Sequence, residues 1–452
     1  MTLEVGFGKV KITPPLGTLC AQGLGYECRQ ILDDVFVRAV ALREGDSAVC
    51  LLSADVLGLD RRDIEEMRAA VRAATGLAAD RVVCHSTHSH ESPGARSGCS
   101  EALAPYGLAF HSEHFFTSLV EGAGQAAAEA LNGARAAEIR YGQAEVKGLA
   151  SNRRCGVVRD DDPSIPWMRS SRARPEHRAL PVGDIDPLVR VLAFFDGGKP
   201  FGVMMNYACH VTVAGGDEAP YVTADFPGEA LRRLAEEDGL EGIHFTGAAG
   251  DINPGKFTTS GNSIEERVAD VKRLGGVYLD AVRQAIKSGE PLSPGALLWR
   301  TKPIFLPLRA DFPSRRDLAA RVAEAAAAYK AARAEEKASA IDPYQQDLLR
   351  AGAVRQVVGV HMATEISALR IGDFGAVFLP GECFLDIDRQ IRARAGLPKF
   401  MTIAYGDLAM GYICSRQAYQ EGGYGPAASA LAPEATDLLI DEAVGLLRNL
   451  GT

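Results

Sequence analysis

Apolar residues in this chain fall into short compact runs, alternating with longer stretches where they recur every three or four positions. Compact runs suit buried strands, and the longer period suits amphipathic helices. Residues 35–42 and 48–54 predict a strand pair around the turn Glu44-Gly45-Asp46. A helix follows over 61–74, a strand over 81–85, and an alanine-rich helix over 113–131 that stops at Asn132-Gly133. Further strands are expected near 137–142, 188–195, 201–207 and 243–246, with helices over 224–237 and 264–286. In the last of these Ile264, Val268, Val271, Val277, Val282 and Ile286 share one stripe. Strands resume at 365–371 and 376–379, and a helix runs from about 433 to 450. No internal repeat shows in the sequence.

Residues 300–370 differ in texture, with a helical insertion expected over 313–356. A charged, alanine-rich helix over 315–338 and a second helical stretch ending near Leu348 suggest a helical hairpin. It could be a lid, a contact in a homo-oligomer, or a solvated excursion. Strands on both sides of it favour one interwoven domain over 1–452 that carries an insertion. The fold class expected is α/β, with mixed sheets flanked by helices.

Composition narrows the function. A net charge of −9 without a basic run argues against a nucleic-acid partner and leaves a small-molecule substrate as the expected ligand. Neither a signal peptide nor a transmembrane stretch is visible, so a cytoplasmic protein without stable membrane insertion is expected. The nine cysteines are scattered with no Cys-x-x-Cys, as expected of reduced core residues.

The densest chemistry lies in Cys84-His85-Ser-Thr-His88-Ser-His90-Glu-Ser-Pro-Gly94, where a strand runs into a turn. Strand ends feeding loops are where α/β folds present reactive side chains. In an extended segment His88 and His90 project to one face, and converging imidazoles suggest a metal. Four other segments repeat the pattern of strand, polar residues, then Gly or Pro. They are Asn206-Tyr-Ala-Cys-His210 leading to Asp225, His244 to Pro254 with Asp251 and Asn253, Leu379-Pro-Gly-Glu382, and Tyr405 to Tyr412 continuing to Tyr419 and Tyr424. Gly250 to Lys256 has the spacing of a phosphate-binding loop. However, Phe257 stands where Ser or Thr would hold magnesium, and Pro254 removes an N–H donor. There is no Gly-x-Ser-x-Gly elbow for a serine hydrolase.

Taken in order, Val5-Gly-Phe-Gly-Lys-Val-Lys-Ile-Thr-Pro-Pro15, Ser53-Ala-Asp55, the histidine segment, Asn152-Arg153, Asn206–His210, Gly250–Pro254, Leu379–Glu382 and Gly411-Tyr412 span almost the whole chain. The set resembles the neutral/alkaline, non-lysosomal ceramidase family, specifically its N-terminal catalytic domain. The resemblance implies one zinc ion bound by His88, His210, Glu382 and Tyr412. It implies that His90 and Arg153 contact the substrate and the developing oxyanion, and that Tyr419 and Tyr424 line the pocket. Asp55, Asp225 and Asp251 are candidates for holding imidazoles in the correct tautomer, with Asp225 also close to substrate and Asp251 to the reacting groups. Asn253 replaces the serine of the family's Gly-Asp-Val-Ser-Pro-Asn stretch, and the family's C-terminal immunoglobulin-like domain is not expected here. The function implied is zinc-dependent hydrolysis of a C–N bond in a small N-acyl or cyclic amide by an activated water. The alternatives are a metal-dependent esterase or lactonase, or an inactive metal- or ligand-binding relative.

Overall fold

The computed structural model describes residues 3–21, 24, 26–158, 166–168, 178–215, 221–259, 263–334, 348 and 350–450. Its framework is three five-stranded sheets, each covered by helices. The first contains β1 (Glu4–Lys11), β2 (Phe36–Glu44), β3 (Ser47–Ala54) and β4 (Val82–Ser86). β1, β2 and β3 pair antiparallel, and β4 lies parallel to β3 after the crossover helix α1 (Arg61–Thr75). Asp60 caps α1 in a reciprocal box with Asp63, and Gly76 ends it at φ 79°. Helix α2 (Glu113–Asn132) then packs beside α1.

The second sheet has β5 (Glu138–Glu145), β6 (Leu188–Asp196), β7 (Lys199–Tyr207) and β8 (Glu241–Thr246). Here too the first three strands are antiparallel and the fourth is parallel to the third. The crossover is α3 (Asp225–Asp238), and α4 (Ile264–Lys287) packs against it. The third sheet has β9 (Leu297–Pro307), β10 (His361–Ile371), β11 (Phe374–Phe378) and β12 (Lys399–Ile403). Its order is the same: two antiparallel pairings, then a parallel fourth strand. Between β9 and β10 lies α5 (Arg315–Ala334); the crossover is α6 (Leu385–Ala395), paired with the closing helix α7 (Glu434–Asn449). The repeat that the sequence hides is thus present in the topology, three times over.

The inner strands and the parallel fourth strands of these sheets are buried on both faces, which explains their nearly unbroken apolar runs. One face of each sheet meets its own helices, forming three outer cores. The other faces meet one another. Val40, Leu42 and Leu51 of the first sheet, Leu192, Phe194 and Met204 of the second, and Leu369, Phe374 and Phe378 of the third share one inner core. Beside it a buried polar chain joins the first two sheets. Thr246 N–H donates to His85 Nε2 at 3.1 Å, His85 Nδ1 to Ser53 Oγ at 2.9 Å, and Ser53 Oγ to the His244 carbonyl at 2.8 Å. The ends of the three fourth strands also touch, through Ala404 N to Thr246 O at 3.0 Å and Ser86 N to Tyr405 O at 3.2 Å.

Helix α5 is not a solvated excursion. Leu318, Val322, Ala326 and Tyr329 pack on Leu24 and on Cys99, Leu103 and Phe110 of the segment that follows the histidine motif. The Tyr329 hydroxyl donates to the Leu24 carbonyl at 2.6 Å. The expected return limb lies outside the described residues, apart from the buried Leu348. Among the described residues no helix is long and apolar enough to cross a membrane.

Candidate metal centre

The loops that leave the third and fourth strands of the three sheets converge. From β4 the chain does not continue extended, as the His-x-His spacing suggests; His88 turns left-handed at φ 67°. That turn swings its ring until Nε2 lies 3.3 Å from His90 Nε2. The His88 amide donates to the Val56 carbonyl at 3.1 Å, and Nδ1 donates to the Leu57 carbonyl at 2.7 Å. From β7 comes His210, wholly buried, with Nδ1 donating to the Ala249 carbonyl at 2.6 Å. From β11 comes Glu382, whose Oε2 lies 3.2 Å from His210 Nε2 and 3.5 Å from His88 Nε2. Glu382 pairs with Tyr412 in a two-residue parallel ladder. Gly250 permits this approach: a Cβ there would stand 2.3 Å from the Glu382 carbonyl oxygen.

Arg153 closes another side. Its amide donates to the Asp251 carbonyl at 2.8 Å and its Nη1 to the Tyr412 hydroxyl at 3.1 Å, while Nε is buried without a partner. Burial, followed by the positive charge of Arg153, holds the His210 imidazole down to about 4. Burial and the neighbouring histidines hold His90 well below its ordinary value. Although burial opposes it, His88 and His210 keep the Glu382 carboxyl well below the usual range. Burial pushes the Tyr412 phenol well up.

The remaining expected residues divide by contact. Tyr424 stands at the edge, half exposed, with its ring 5.6 Å from that of Tyr412. Tyr419 turns its hydroxyl towards Ser429 and the Leu431 carbonyl, both at 3.0 Å. The Asn253 amide oxygen accepts from Gly255 N–H at 3.2 Å, within its own turn. Asp251 accepts from Leu385 N–H at 2.9 Å and Asn152 Nδ2 at 3.2 Å, so it ties the Arg153 strand to the Glu382 loop. Asp225 is wholly buried and accepts the Ala214 and Phe226 amides, at 2.8 and 2.6 Å. Asp55 pairs with Arg38 at 2.7 Å.

The expectation that these three carboxylates orient the histidines is therefore corrected for His88 and His210. Backbone carbonyls of Leu57 and Ala249 do so, because the loops from β3 and β8 lie directly behind the rings. Lys256 is no phosphate ligand either: its ammonium binds the carbonyls of Arg178 and Leu180, and no helix starts there. All nine cysteines are buried, and none forms a disulfide among the described residues. Burial raises the thiols of Cys84, Cys209, Cys383 and Cys414, which disfavours a nucleophilic thiolate. Tyr405 opens the last of the four segments without a role assigned to it by the sequence; its ring lies 4.3 Å from that of His88, tilted by 31°.

The donor set fits a metal ion. His88, His90 and His210 offer nitrogen atoms within 4.8 Å of one another. With Nδ1–H donated to a carbonyl, a neutral imidazole presents a bare lone pair at Nε2. With both rings in that form, two such lone pairs face one carboxylate oxygen. Acceptors crowded together in a buried site call for a cation.

The sequence matches no family model and no curated protein. In structure the chain is similar to the neutral ceramidase of Pseudomonas aeruginosa, with a TM-score of 0.72 and 16% identity over 99% of this chain and 75% of that one. A ceramidase complexed with C2 is similar to the same degree, with a TM-score of 0.72 and 16% identity over 99% of this chain and 76% of that one. The mixed α/β architecture is ceramidase-like.

Proposed function

We propose that this protein is a zinc-dependent hydrolase of a small N-acyl or cyclic amide. One observation carries the reading: lone pairs of His88 and His210, each fixed from behind by a carbonyl, converge on Glu382. Imidazole and carboxylate donors suit Zn²⁺, and His88, His210 and Glu382 would hold it, with Tyr412 beside Glu382 as the fourth ligand. The chemistry such an ion supplies is Lewis acidity toward an acyl carbonyl and toward water. Around it the chain's own groups divide the work. Arg153, aimed by its bond to Tyr412, stabilises negative charge on the acyl oxygen. His90, 3.3 Å from His88, is placed to carry a proton to the departing amine. Tyr424 contributes an aromatic wall at the mouth. The fold shared with ceramidases supports amide hydrolysis over the other reactions a metal site can serve.

Elemental analysis tests the centre directly. The parent should carry about one zinc per chain after reconstitution, and His88→Ala and His210→Ala should carry none. A parent that stays metal-free would end the reading. Zinc retained, with no turnover on a broad panel of amides and esters, would favour an inactive metal-binding relative.

A further inference from the structure

The threefold topology makes equivalent positions comparable. Two residues beyond the fourth strand of each sheet stand His88, Ala248 and Tyr405. His88 and Tyr405 share an unusual backbone, with φ of 67° and 56°, a region that side chains other than glycine rarely enter. Each amide donates to the loop beyond the third strand of its own sheet: His88 to Val56 at 3.1 Å, Tyr405 to Gly381 at 3.0 Å. Gly381 immediately precedes Glu382. Tyr405 is therefore the third sheet's counterpart of a residue proposed as a metal ligand, and its ring lies against that ligand.

The tyrosine is expensive to keep there. It holds a left-handed backbone, it is 4% exposed, and its hydroxyl is buried without a hydrogen-bond partner. Phenylalanine would stack on His88 as well and leave no polar atom unsatisfied. Strain and an unsatisfied donor at one position point to a ligand that is bound only part of the time. His210 lies on another side of the ring, with centroids 6.2 Å apart and planes at 88°, so the phenol is walled in by the histidines. With Glu382, Tyr412 and Arg153 as its electrostatic neighbours, the hydroxyl lies within the same centre.

We propose that Tyr405 contacts substrate, its hydroxyl donating a hydrogen bond to the acyl oxygen of the bound amide alongside Arg153. The inference rests on the amide-hydrolase reading above. It narrows the substrate to acyl compounds whose oxygen reaches between a phenol and a guanidinium.

The test compares zinc-reconstituted parent and Tyr405→Phe, with acetohydroxamate as a small acyl probe. Three quantities are read: zinc content, melting temperature and probe affinity by calorimetry. Zinc content should be equal, and the melting temperature equal or higher, because an unsatisfied hydroxyl has been removed. Probe affinity should fall by about tenfold. Affinity within twofold of the parent overturns the proposal, as does a lowered melting temperature with affinity unchanged, which marks a structural hydroxyl. A parent that takes up neither zinc nor probe overturns the amide-hydrolase reading as well. A parent that binds both but hydrolyses no amide defeats that reading alone, and the affinity ratio still decides Tyr405.

Discussion

At the level of single residues, the proposed roles of Arg153 and of the metal ligands can be told apart. The Arg153 guanidinium is bonded to the Tyr412 hydroxyl, and Nε has no partner, so part of its donor capacity is free for a substrate oxygen. Arg153→Ala should retain zinc and lose about 10²–10³ in kcat/KM on any amide the parent turns over. Arg153→Lys should recover little, since a point charge cannot reproduce a planar fork. Kinetics and elemental analysis on the same preparations check this; zinc lost together with activity would make Arg153 a scaffold residue. At this scale the histidines and Glu382 were legible because each follows an apolar strand and precedes a turn. The groups that aim the rings were not, since a backbone carbonyl leaves no signature in a sequence. Asp225 and Asp251 suggest a place near substrate and reacting groups only because carboxylates near histidines look alike in one dimension. Only the fold shows their oxygens bound to amides. Tyr405 marks the start of a candidate segment in the sequence, but its contact with His88 depends on a left-handed turn that the sequence does not announce.

Between elements, Arg68 of α1 ties the first sheet to the third. It pairs with Glu365 of β10, with Asp407 at 3.0 Å, and with the Val82 carbonyl at 2.9 Å. Asp407 in turn accepts from Cys84 N–H at 2.9 Å, fixing the turn after β12 against β4. Arg68→Met should cost about 3–5 kcal/mol, because it strands two carboxylates in a low dielectric. Burial already raises the Asp407 carboxyl to about 6. A raised folded value means stability is kept at low pH and lost as pH rises through that value. The penalty in Arg68→Met should therefore shrink on acidification; urea midpoints of both proteins would show it, and a penalty independent of pH would refute the assignment. Elements with a strong period, α1, α2, α4 and α7, matched their expected bounds within a residue or two. β9 escaped notice because Lys302 and Pro303 interrupt a half-exposed edge. α6 is short and carries five charges on eleven residues, which hides its apolar stripe.

At the scale of the whole molecule, buried histidines contribute to the response to acid. His85 and His244 are wholly enclosed; burial holds both down, His244 to about 3. In the unfolded chain each titrates near ~6.5. Unfolding below that pH takes up protons, so their contribution is full above ~6.5 and declines as pH falls toward the folded value. Each steepens the stability curve by up to ~1.4 kcal/mol per pH unit. His244→Gln should have a shallower decline than the parent between about pH 7 and about pH 5, by close to one proton. Parallel curves would mean that the Tyr278 bond to His244 Nδ1, 2.9 Å long, does not require the neutral ring. The α/β class was legible because strands and helices alternate in the pattern of apolar runs. The threefold plan was not, because its three copies share connectivity and pairing sense but no residue pattern.

The shared inner core has a consequence for synthesis on the ribosome. Val40, Leu42 and Leu51 meet only side chains of their own sheet until the second and third sheets exist. More than three hundred residues separate β4 from the end of β12. At ~5–20 residues per second, the nascent first sheet would display an apolar face for roughly 15–60 s. Meeting of three sheets at one centre thus leaves the inner face of the first sheet without its final partners for that interval.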